Sequence, residues 1–591
     1  MRNKMRPSKL VLTFGPGSIV DLPERISVMV MGVDFWLSHR PIQEPRLARK
    51  LEVDHFGSPR NSSNNTIGIP VRDFPFMRVC PECHRLWYIT ELRRGIECPN
   101  PNCPRDEEGH GPRTIPPRLV AACRRGHIQD FPWKWWCGCK CSTRDSEIYL
   151  HGEGGDTTCS DLVVECKYCG KKKDLMGALE YHKVTCQGKR PWLGDEEDCD
   201  EQLKGLMRGA SNVFFPLTES SLSIPPFSDY THVLLQEHIG PARENWRIDG
   251  IDGLRAYVQA NVGLRRVMER EGLTEGDILR AFQQIYDETR PVRIKEEEWD
   301  RLTHTVNYHP LNDFQIEELK QKGSDLERWF SSIKRVTKLR EVIAIRGLTR
   351  VEPFDGNEDR VQPIRMKDIE AWNRLLSDNP KMSPRPHEEA QRDWLPGVEM
   401  YGEGIFFEFN GETLHEWERE KDVRERCDLI RRQKNAPPLR DGIDITLPRT
   451  ILIHSFAHQF IRQISFACGY SLASLRERIF SGIEDGISMC GVLIYTASPD
   501  SEGTLGGLVS QARDTLTIQN HIKNMIETVR TCSQDPLCGA HDPGSTGNAW
   551  GASCHSCSQL PETSCEGLQN KLLDRFALTG NDNMGGYFNV Y

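Results

Sequence analysis

The 591-residue sequence contains no apolar run that approaches the roughly 20 residues of a membrane-spanning helix. Its basic and then briefly apolar start is broken by Gly15-Pro16-Gly17 before it could form a signal-peptide core. Positive charge is not in excess either, because 76 Lys and Arg against 85 Asp and Glu give a net charge of −9. This balance argues against a generally basic nucleic-acid coat but not against a local basic groove. We therefore expect a cytoplasmic protein with no membrane partner.

Common catalytic motifs are also missing. The sequence has no G-x-x-x-x-G-K-[ST] loop, no G-x-G-x-x-G fingerprint and no H-E-x-x-H zinc-protease motif. His454 and His458 have the spacing of one helix face, but Ser455 follows His454 where that motif requires glutamate. Helix packing or hydrogen bonding is the favoured role for both histidines. The absences predict a protein that is not an enzyme.

Asp500 and Glu502 keep an enzymatic alternative open. These neighbouring carboxylates follow a predicted strand, a common place for a helix cap and also for a catalytic site. The cap is the favoured interpretation. The alternative functions are a metal-dependent, nuclease-like hydrolase and a zinc-ribbon DNA sensor that acts alone.

Cysteine is abundant and clustered. Of 21 cysteines, thirteen lie between Cys80 and Cys199 and five between Cys532 and Cys565. Disulfides are rare in cytosolic proteins, so clustered C-x-x-C pairs indicate metal sites first.

Two four-cysteine sets are predicted in the N-terminal cluster. Tetrahedral zinc takes two thiolates from each of two knuckles, and four thiolates leave no open position, as in a structural site. The predicted sets are Cys80, Cys83, Cys98 and Cys103, and then Cys166, Cys169, Cys186 and Cys199.

Five other cysteines and one histidine lie between these sets and could form a further zinc site. The alternative, buried or reactive free thiols, is favoured. The residues concerned are Cys123, His127, Cys137, Cys139, Cys141 and Cys159.

A third zinc site is predicted at the C-terminal cluster, which brings the expected number of structural zinc ions to about three. Cys554, Cys557 and Cys565 supply three sulfurs. Cys538 is preferred to Cys532 as the fourth ligand, because Asp535 to Cys538 has the composition of a turn that could present the thiolate.

These features predict an α+β multidomain protein. Its regions are an N-terminal β-rich segment (1–75), a zinc-ribbon region (76–200), a mainly helical middle (201–440) with a long loop near 352–396, and a C-terminal α/β zinc-binding domain (441–591). Within the middle region, the mixed charges of Leu326 to Ile345 predict a surface helix. At the start of the chain, Leu10 to Phe14 has the pattern of a strand.

Several motifs resemble a known family. Ile451 to Ser471, Gly491 to Gly507 and the cysteine block from Asp535 to Cys565 are similar to the C-terminal zinc-binding domain of MrfA-type DNA-repair helicases. Phe14 to Pro23, the Cys80 knuckle and Arg208 to Pro216 resemble the DrmB family of the DISARM anti-phage defence system.

The resemblance implies a non-motor accessory subunit that works on foreign DNA with a separate DrmA-like superfamily 2 helicase. DNA would then be engaged through the complex, and the nucleic-acid-binding residues stay unassigned. In the helicase family the C-terminal cysteines hold zinc, which corresponds here to Cys554, Cys557, Cys565 and Cys538. The extra Cys532 leaves the fourth ligand open.

Overall fold

The computed structural model describes most of the chain. The described residues are 7–23, 26–36, 39–59, 68–88, 97–142, 147–152, 161–286, 291–304, 312–321, 323–366, 394–433, 436–438, 440–497, 506–535, 537–540 and 549–588.

Helices are concentrated between residues 230 and 303 and after residue 410. They are α1 (Pro7–Leu12), α2 (Pro45–Lys50), α3 (Trp133–Trp136), α4 (Tyr230–Leu235), α5 (Ile239–Ala260), α6 (Val262–Glu271), α7 (Glu275–Tyr286), α8 (Ile294–Thr303), α9 (Gly411–Arg419), α10 (Lys421–Arg431), α11 (Pro448–Cys468), α12 (Thr515–Val529) and α13 (Arg575–Thr579).

Strands are mostly short, with two long exceptions. They are β1 (Ile19–Leu22), β2 (Ile26–Val30), β3 (His39–Ile42), β4 (His55–Pro59), β5 (Val71–Asp73), β6 (Met77–Val79), β7 (Leu86–Tyr88), β8 (Leu119–Ala122), β9 (Ile128–Asp130), β10 (Ile148–Gly152), β11 (Leu162–Cys166), β12 (Lys172–Asp174), β13 (Tyr181–Thr185), β14 (Lys189–Arg190), β15 (Asp195–Glu196), β16 (Gln202–Met207), β17 (Phe215–Leu222), β18 (Gln315–Glu318), β19 (Phe330–Thr349), β20 (Trp394–Phe409), β21 (Leu475–Phe480), β22 (Ile483–Glu484), β23 (Ile487–Ser488) and β24 (Gly491–Thr496).

The chain divides into two compact units. Unit 1 comprises residues 1–41, 56–219 and 344–398, and unit 2 comprises residues 42–55, 220–343 and 399–591. The boundaries fall inside β3, β4, β17, β19 and β20, so these strands contribute residues to both units. The α+β class predicted from the sequence is confirmed.

Unit 1 is built from small antiparallel sheets. They have the strand orders β1-β2-β5, β10-β11-β12 and β13-β16-β8-β9, with the hairpins β6-β7 and β14-β15. One of its apolar clusters includes Phe131, Trp133 and Trp136 together with several of the cysteines themselves. The Trp residues of Phe131 to Trp136 therefore serve largely as core, although Trp135 remains 45% exposed.

Unit 2 has a larger core around α11. In its sheet β24 pairs with both β20 and β21 in antiparallel register. Phe456 and Phe460 of α11 pack against Phe407 of β20, with ring centroids 5.1 and 4.9 Å apart. Fourteen of the 21 residues of α11 are buried, from Arg449 to Ile464, so the helix is enclosed by protein on nearly all sides.

A second apolar cluster of unit 2 is purely helical. Leu235, Leu254, Phe282 and Tyr286 pack together from α4, α5 and α7. Both α6 and α7 show the amphipathic spacing expected of surface helices, and α6 ends at Gly272 in the left-handed conformation.

The helix predicted over Leu326 to Ile345 is wrong, because this stretch forms most of the 20-residue strand β19. The charges that suggested a solvent-facing helix are largely buried and paired. Arg340 is 1% exposed, and its guanidinium lies 2.7 Å from the Glu399 carboxylate on β20. Val and Ile residues at frequent intervals favour the extended chain once a partner strand satisfies the charges.

The strand predicted over Leu10 to Phe14 is also wrong. Leu10 to Leu12 belong to the short helix α1, which begins at Pro7, and Thr13 and Phe14 follow its end. Proline suits a first helical position because its missing N–H has no partner there in any case. In the described ranges, none of the helices combines the length and apolar character that crossing a bilayer requires.

Candidate metal centres

The first predicted cysteine set forms a compact group in unit 1, here called tetrad 1 (Cys80, Cys83, Cys98 and Cys103). The Sγ atoms of Cys80 and Cys103 lie 3.7 Å apart, those of Cys83 and Cys98 3.7 Å, and those of Cys98 and Cys103 3.6 Å. A tetrahedron with Zn–S bonds of about 2.3 Å has edges of ~3.8 Å. The four sulfurs therefore already have the spacing of a zinc-thiolate centre.

The hairpin β6-β7 positions the first two ligands of tetrad 1. Cys80 and Cys83 lie in the turn between its strands, where the His84 N–H donates to the Cys80 carbonyl at 2.9 Å. His84 has φ +61°, a left-handed conformation that folds the chain back sharply after the knuckle.

The second predicted set is not brought together. Cys166 and Cys169 join Cys139 and Cys141, whereas Cys186 and Cys199 join Cys123 and His127. The sequence grouped ligands by order along the chain, but the fold nests one pair of knuckles inside the other. These two groups are called tetrad 3 (Cys139, Cys141, Cys166 and Cys169) and tetrad 2 (Cys123, His127, Cys186 and Cys199).

Tetrad 2 contains one imidazole. His127 Nδ1 lies 3.4 Å from Cys123 Sγ, and its Nε2 lies 2.7 Å from a Glu197 oxygen. A histidine ligand commonly donates its other N–H to a carboxylate, which fixes the ring orientation. His127 is fully buried, so its Nδ1 is held facing the three sulfurs.

The buried guanidinium of Arg350 interacts electrostatically with Cys123 of tetrad 2. Arg350 donates to the carbonyls of Gly126 and Gly17 at 2.9 and 2.7 Å, and it has no carboxylate ion-pair partner in the described part of the chain. Burial lowers the pKa of Arg350 to about 9, and the Cys123 thiolate opposes that shift. Zn²⁺ with three thiolates and one neutral imidazole carries a net charge of −1, which would balance Arg350.

Tetrad 3 combines the segment after α3 with the end of β11. Cys139 Sγ lies 3.4 Å from Cys166 Sγ. The Gly170 N–H donates to the Cys166 carbonyl at 2.8 Å, and Gly170 has φ +70°, which a side chain would disfavour. Cys137 is not a member, since its thiol donates to the Lys134 carbonyl at 3.4 Å. Cys159 lies outside the described residues.

The C-terminal cysteines group differently from the prediction. Both Cys532 and Cys538 belong with Cys554 and Cys557, which form tetrad 4 in unit 2. Cys532 Sγ lies 3.7 Å from Cys554 Sγ, and Cys538 Sγ lies 3.7 Å from Cys557 Sγ. The sequence offered Cys532 and Cys538 as alternative fourth ligands, and the structure places both in this group.

Cys565 lies in another group, which we call the buried His-Glu-Cys cluster (His454, His458, Glu477 and Cys565). The helix-packing interpretation of the two histidines missed this arrangement. Glu477, between two arginines on β21, has the pattern of surface charge in the sequence, yet it is 2% exposed. Only the structure shows that Glu477 is buried beside the two histidines, since the sequence pattern around it does not indicate burial.

One thiol in each tetrad has a pKa below the ordinary value of a cysteine. Although burial opposes the shift, the Arg85 N–H and then neighbouring side chains lower the pKa of Cys83 to about 7. Contact with the Cys186 thiol, and after it with His127, lowers the pKa of Cys123 to about 4.

The same holds for tetrads 3 and 4. Although burial opposes the shift, the Cys169 N–H is the first of the groups that lower the pKa of Cys166 to about 7. The pKa of Cys532 is lowered, also against burial, first by the Asp535 N–H. Thiolates are the form that binds zinc.

Candidate phosphate-binding groups in unit 1 are largely engaged with acidic groups. A cavity of about 580 Å³ is lined by four arginines and four carboxylates, besides uncharged residues. Of the lysine run Lys171 to Lys173, Lys172 pairs with Glu165 at 3.1 Å, and Lys173 lies over the Trp136 ring at 3.6 Å. Neither the cavity nor the lysine run therefore presents an excess of positive charge. Asp500 and Glu502, the carboxylates of the hydrolase alternative, lie outside the described residues.

Two family models match parts of the chain. A domain of unknown function (DUF8724) matches residues 6–215, and the MrfA Zn-binding domain matches residues 456–558. Among curated proteins, the DISARM protein DrmB of Bacillus paralicheniformis is 28% identical over 594 residues, covering 93% of this chain and 96% of that protein. The zinc-binding match includes all of tetrad 4, and the further cysteine groups support several structural zinc sites in this chain.

Proposed function

From the premise that this chain is a homologue of the DISARM protein DrmB, we propose that it acts as a non-motor accessory subunit of an anti-phage defence complex. It binds a DrmA-like superfamily 2 helicase in the cytoplasm and helps to engage or gate foreign DNA. The observation that carries the proposal is the similarity to that protein along nearly the whole of both chains.

The zinc ions have a structural role in this proposal. Tetrads 1 to 4 each offer four ligands, which fills a tetrahedral zinc and leaves no position for substrate. The ions would stabilise the small sheets of unit 1 and the chain segment after α12 in unit 2, and so supply rigid surfaces. This role agrees with a protein whose chemistry is done by its partner.

The C-terminal end of α11 is our candidate for part of the helicase contact. Phe466 is 89% exposed, although most of this helix is buried. Large aromatic side chains are frequent anchors of protein interfaces. Leu537, in the zinc-binding segment, is 63% exposed and offers a second apolar contact.

The first prediction concerns this contact. Phe466→Glu places a charge on the proposed interface and should reduce recovery of the helicase with the tagged chain at least about tenfold. Recovery is measured by co-purification from cells that express both genes, together with the DNA-stimulated ATPase of the eluate.

Ile248→Glu is the matched control, because Ile248 is 76% exposed on α5, away from the zinc-binding domain in the sequence. Its recovery should equal that of the wild type. The proposal fails if the wild-type chain purifies without a helicase, or if its presence leaves the helicase ATPase unchanged. Equal recovery with Phe466→Glu would remove Phe466 from the interface.

A further inference from the structure

The buried His-Glu-Cys cluster lies apart from the thiol tetrads and has the composition of a metal site. His454 and His458 stand one turn apart on α11, Glu477 lies on β21, and Cys565 precedes α13. Both histidines are fully buried, Glu477 is 2% exposed, and Cys565 is 8% exposed. One ligand atom from each residue lies within 4.8 Å of all the others.

Hydrogen bonds to backbone carbonyls orient both imidazoles. His454 Nδ1 lies 3.3 Å from the Leu572 carbonyl oxygen, and His458 Nδ1 lies 2.8 Å from that of Ser558. A carbonyl only accepts, so each Nδ1 carries the proton and donates it. Each neutral ring therefore presents the lone pair of Nε2 to the inside of the cluster.

The Nε2 atoms face groups that are themselves electron donors. His454 Nε2 lies 3.3 Å from Glu477 Oε1 and 3.4 Å from Cys565 Sγ, and His458 Nε2 lies 3.6 Å from Glu477 Oε2. His458 Nε2 and Glu477 Oε2 are buried without a hydrogen-bond partner in the described structure. A shared cation would bind the lone pairs that otherwise face one another. Without a cation these buried polar atoms stay unpaired, which is energetically costly.

The distances agree with those between ligands of one tetrahedral ion. Metal–N and metal–O bonds of about 2.0 Å give tetrahedral edges of ~3.3 Å, and pairing one of them with a 2.3 Å metal–S bond gives ~3.5 Å. His454 Nε2 lies 3.3 Å from Glu477 Oε1 and 3.4 Å from Cys565 Sγ, and His458 Nε2 lies 3.6 Å from the other oxygen of the same carboxylate, Oε2.

We propose that His454, His458, Glu477 and Cys565 bind one divalent transition-metal ion, of which Zn²⁺ fits best, as a closed structural site separate from tetrad 4. Two imidazoles, a carboxylate and a thiolate are all ligands that zinc accepts. Four ligands in a fully enclosed position leave no access for substrate. The ion would tie α11, β21 and the segment before α13 together at one point.

Backbone groups around the cluster hold the other two ligands. The Glu566 N–H donates to Glu477 Oε1 at 2.9 Å, and the Asn570 N–H donates to Cys565 Sγ at 3.4 Å. Such outer hydrogen bonds fix ligand carboxylates and stabilise a thiolate. The carbonyl that orients His458 belongs to Ser558, directly after the tetrad 4 ligand Cys557, so the two sites share one short segment.

The test measures metal content in the purified full-length chain. His458→Ala should lower the bound metal, determined by mass spectrometry of the digested protein, by one equivalent per chain. His555→Ala is the matched control, because His555 lies exposed in the tetrad 4 knuckle and outside the cluster, and it should lose none. An unchanged metal content in a folded His458→Ala protein overturns the proposal.

Crystals of the wild-type chain provide a measurement that does not depend on a variant's folding. An anomalous difference map collected at the zinc edge should show a peak between the two Nε2 atoms, the Glu477 carboxylate and Cys565 Sγ. Peaks at the tetrads with none at this point would show that the cluster binds no zinc and would overturn the proposal. This outcome would leave the proposed accessory function intact, so the two proposals fail separately.

Discussion

The ligands of tetrads 2 and 3 are nested along the chain. Cys123 and His127 come first and Cys186 and Cys199 last, while all four members of tetrad 3 lie between them. A C-x-x-C knuckle fixes the geometry of its own two sulfurs, but nothing local decides which distant pair completes the tetrahedron. The β13-β16-β8-β9 sheet makes this choice, because it brings Cys186 and Cys199 to the turn that carries Cys123.

Zinc counts in paired substitutions distinguish the two groupings. Cys166→Ser should release one zinc per chain, and adding Cys139→Ser should release no second ion, because both belong to tetrad 3. Cys166→Ser together with Cys186→Ser should release two. Metal content of the purified full-length variants is the measurement.

The internal control is Cys137→Ser, since Cys137 is buried beside tetrad 3 but is not a member. It should leave the zinc content unchanged. Loss of only one ion from the Cys166 and Cys186 double variant would favour the single site expected from the sequence.

Buried ion pairs stabilise the core of unit 2 when both partners are present. Arg478 is 2% exposed and its Nη2 donates to Glu298 Oε1 at 2.7 Å, while Glu298 is fully enclosed. Arg478→Met leaves that carboxylate buried without its cation. We expect a loss of roughly 3 to 5 kcal/mol in the free energy of unfolding.

Calorimetry should show the Arg478→Met loss as a melting temperature at least ~5 °C lower. Arg513→Met is the matched control, because Arg513 is 71% exposed and pairs with Asp514 at the surface. Exposed pairs contribute about 0 to 1 kcal/mol, so its melting temperature should barely change. Equal effects of the two variants would mean that the Arg478 pair is not important for stability.

At the scale of elements, charge pattern was the least dependable guide. β19 carries buried Lys334, Arg340 and Glu341 within a run that has the charge distribution of a surface helix. The Glu341 carboxylate accepts from the Tyr495 hydroxyl at 3.0 Å, so its partner lies 154 residues away. The nearly continuous apolar pattern of α11 is by contrast a local property of the sequence, since burial on nearly all sides requires apolar residues nearly throughout.

The α4–α7 cluster should lose stability in acid through His232. Burial lowers the pKa of His232 to about 4, below its ordinary value of about 6.5. The fold therefore favours the neutral ring, and this contribution is complete above pH ~6.5 and is lost as the pH falls toward 4. The expected change is at most about 3 kcal/mol.

Hydrogen exchange of peptides from residues 239–286, corrected for intrinsic rates, measures this dependence between pH 7 and 4.5. His232→Phe should remove most of it while preserving the apolar contact with Phe227. His304→Phe, at a histidine whose side chain is 72% exposed, should keep it. Identical pH profiles in wild type and His232→Phe would exclude His232 as the cause.

At the scale of the whole molecule, the two units should depend on metal to different degrees. In unit 1 the cysteines are themselves part of a small apolar cluster, so zinc replaces part of the missing core. Unit 2 has an extensive cluster of aromatic and aliphatic residues around α11. A strong chelator should therefore remove hydrogen-exchange protection from residues 76–207 first.

Protection in α11 and β24 should persist at chelator concentrations that already expose the zinc-rich part of unit 1. The control adds the chelator already saturated with zinc, which should leave both units protected. Simultaneous loss of protection in both units would show that the metal-rich unit has no separate dependence on zinc.

The sequence by itself determined that this is an α+β protein with structural zinc, because C-x-x-C spacing and apolar patterning are local properties of the chain. Eleven of the sixteen residues in tetrads 1 to 4 are among the ligands that it predicted. Only the tertiary structure decided how the ligands pair, that Cys565 meets His454, His458 and Glu477, and that β19 is a strand. Those outcomes depend on contacts between residues far apart in the chain, and on burial that turns apparent surface charge into paired core.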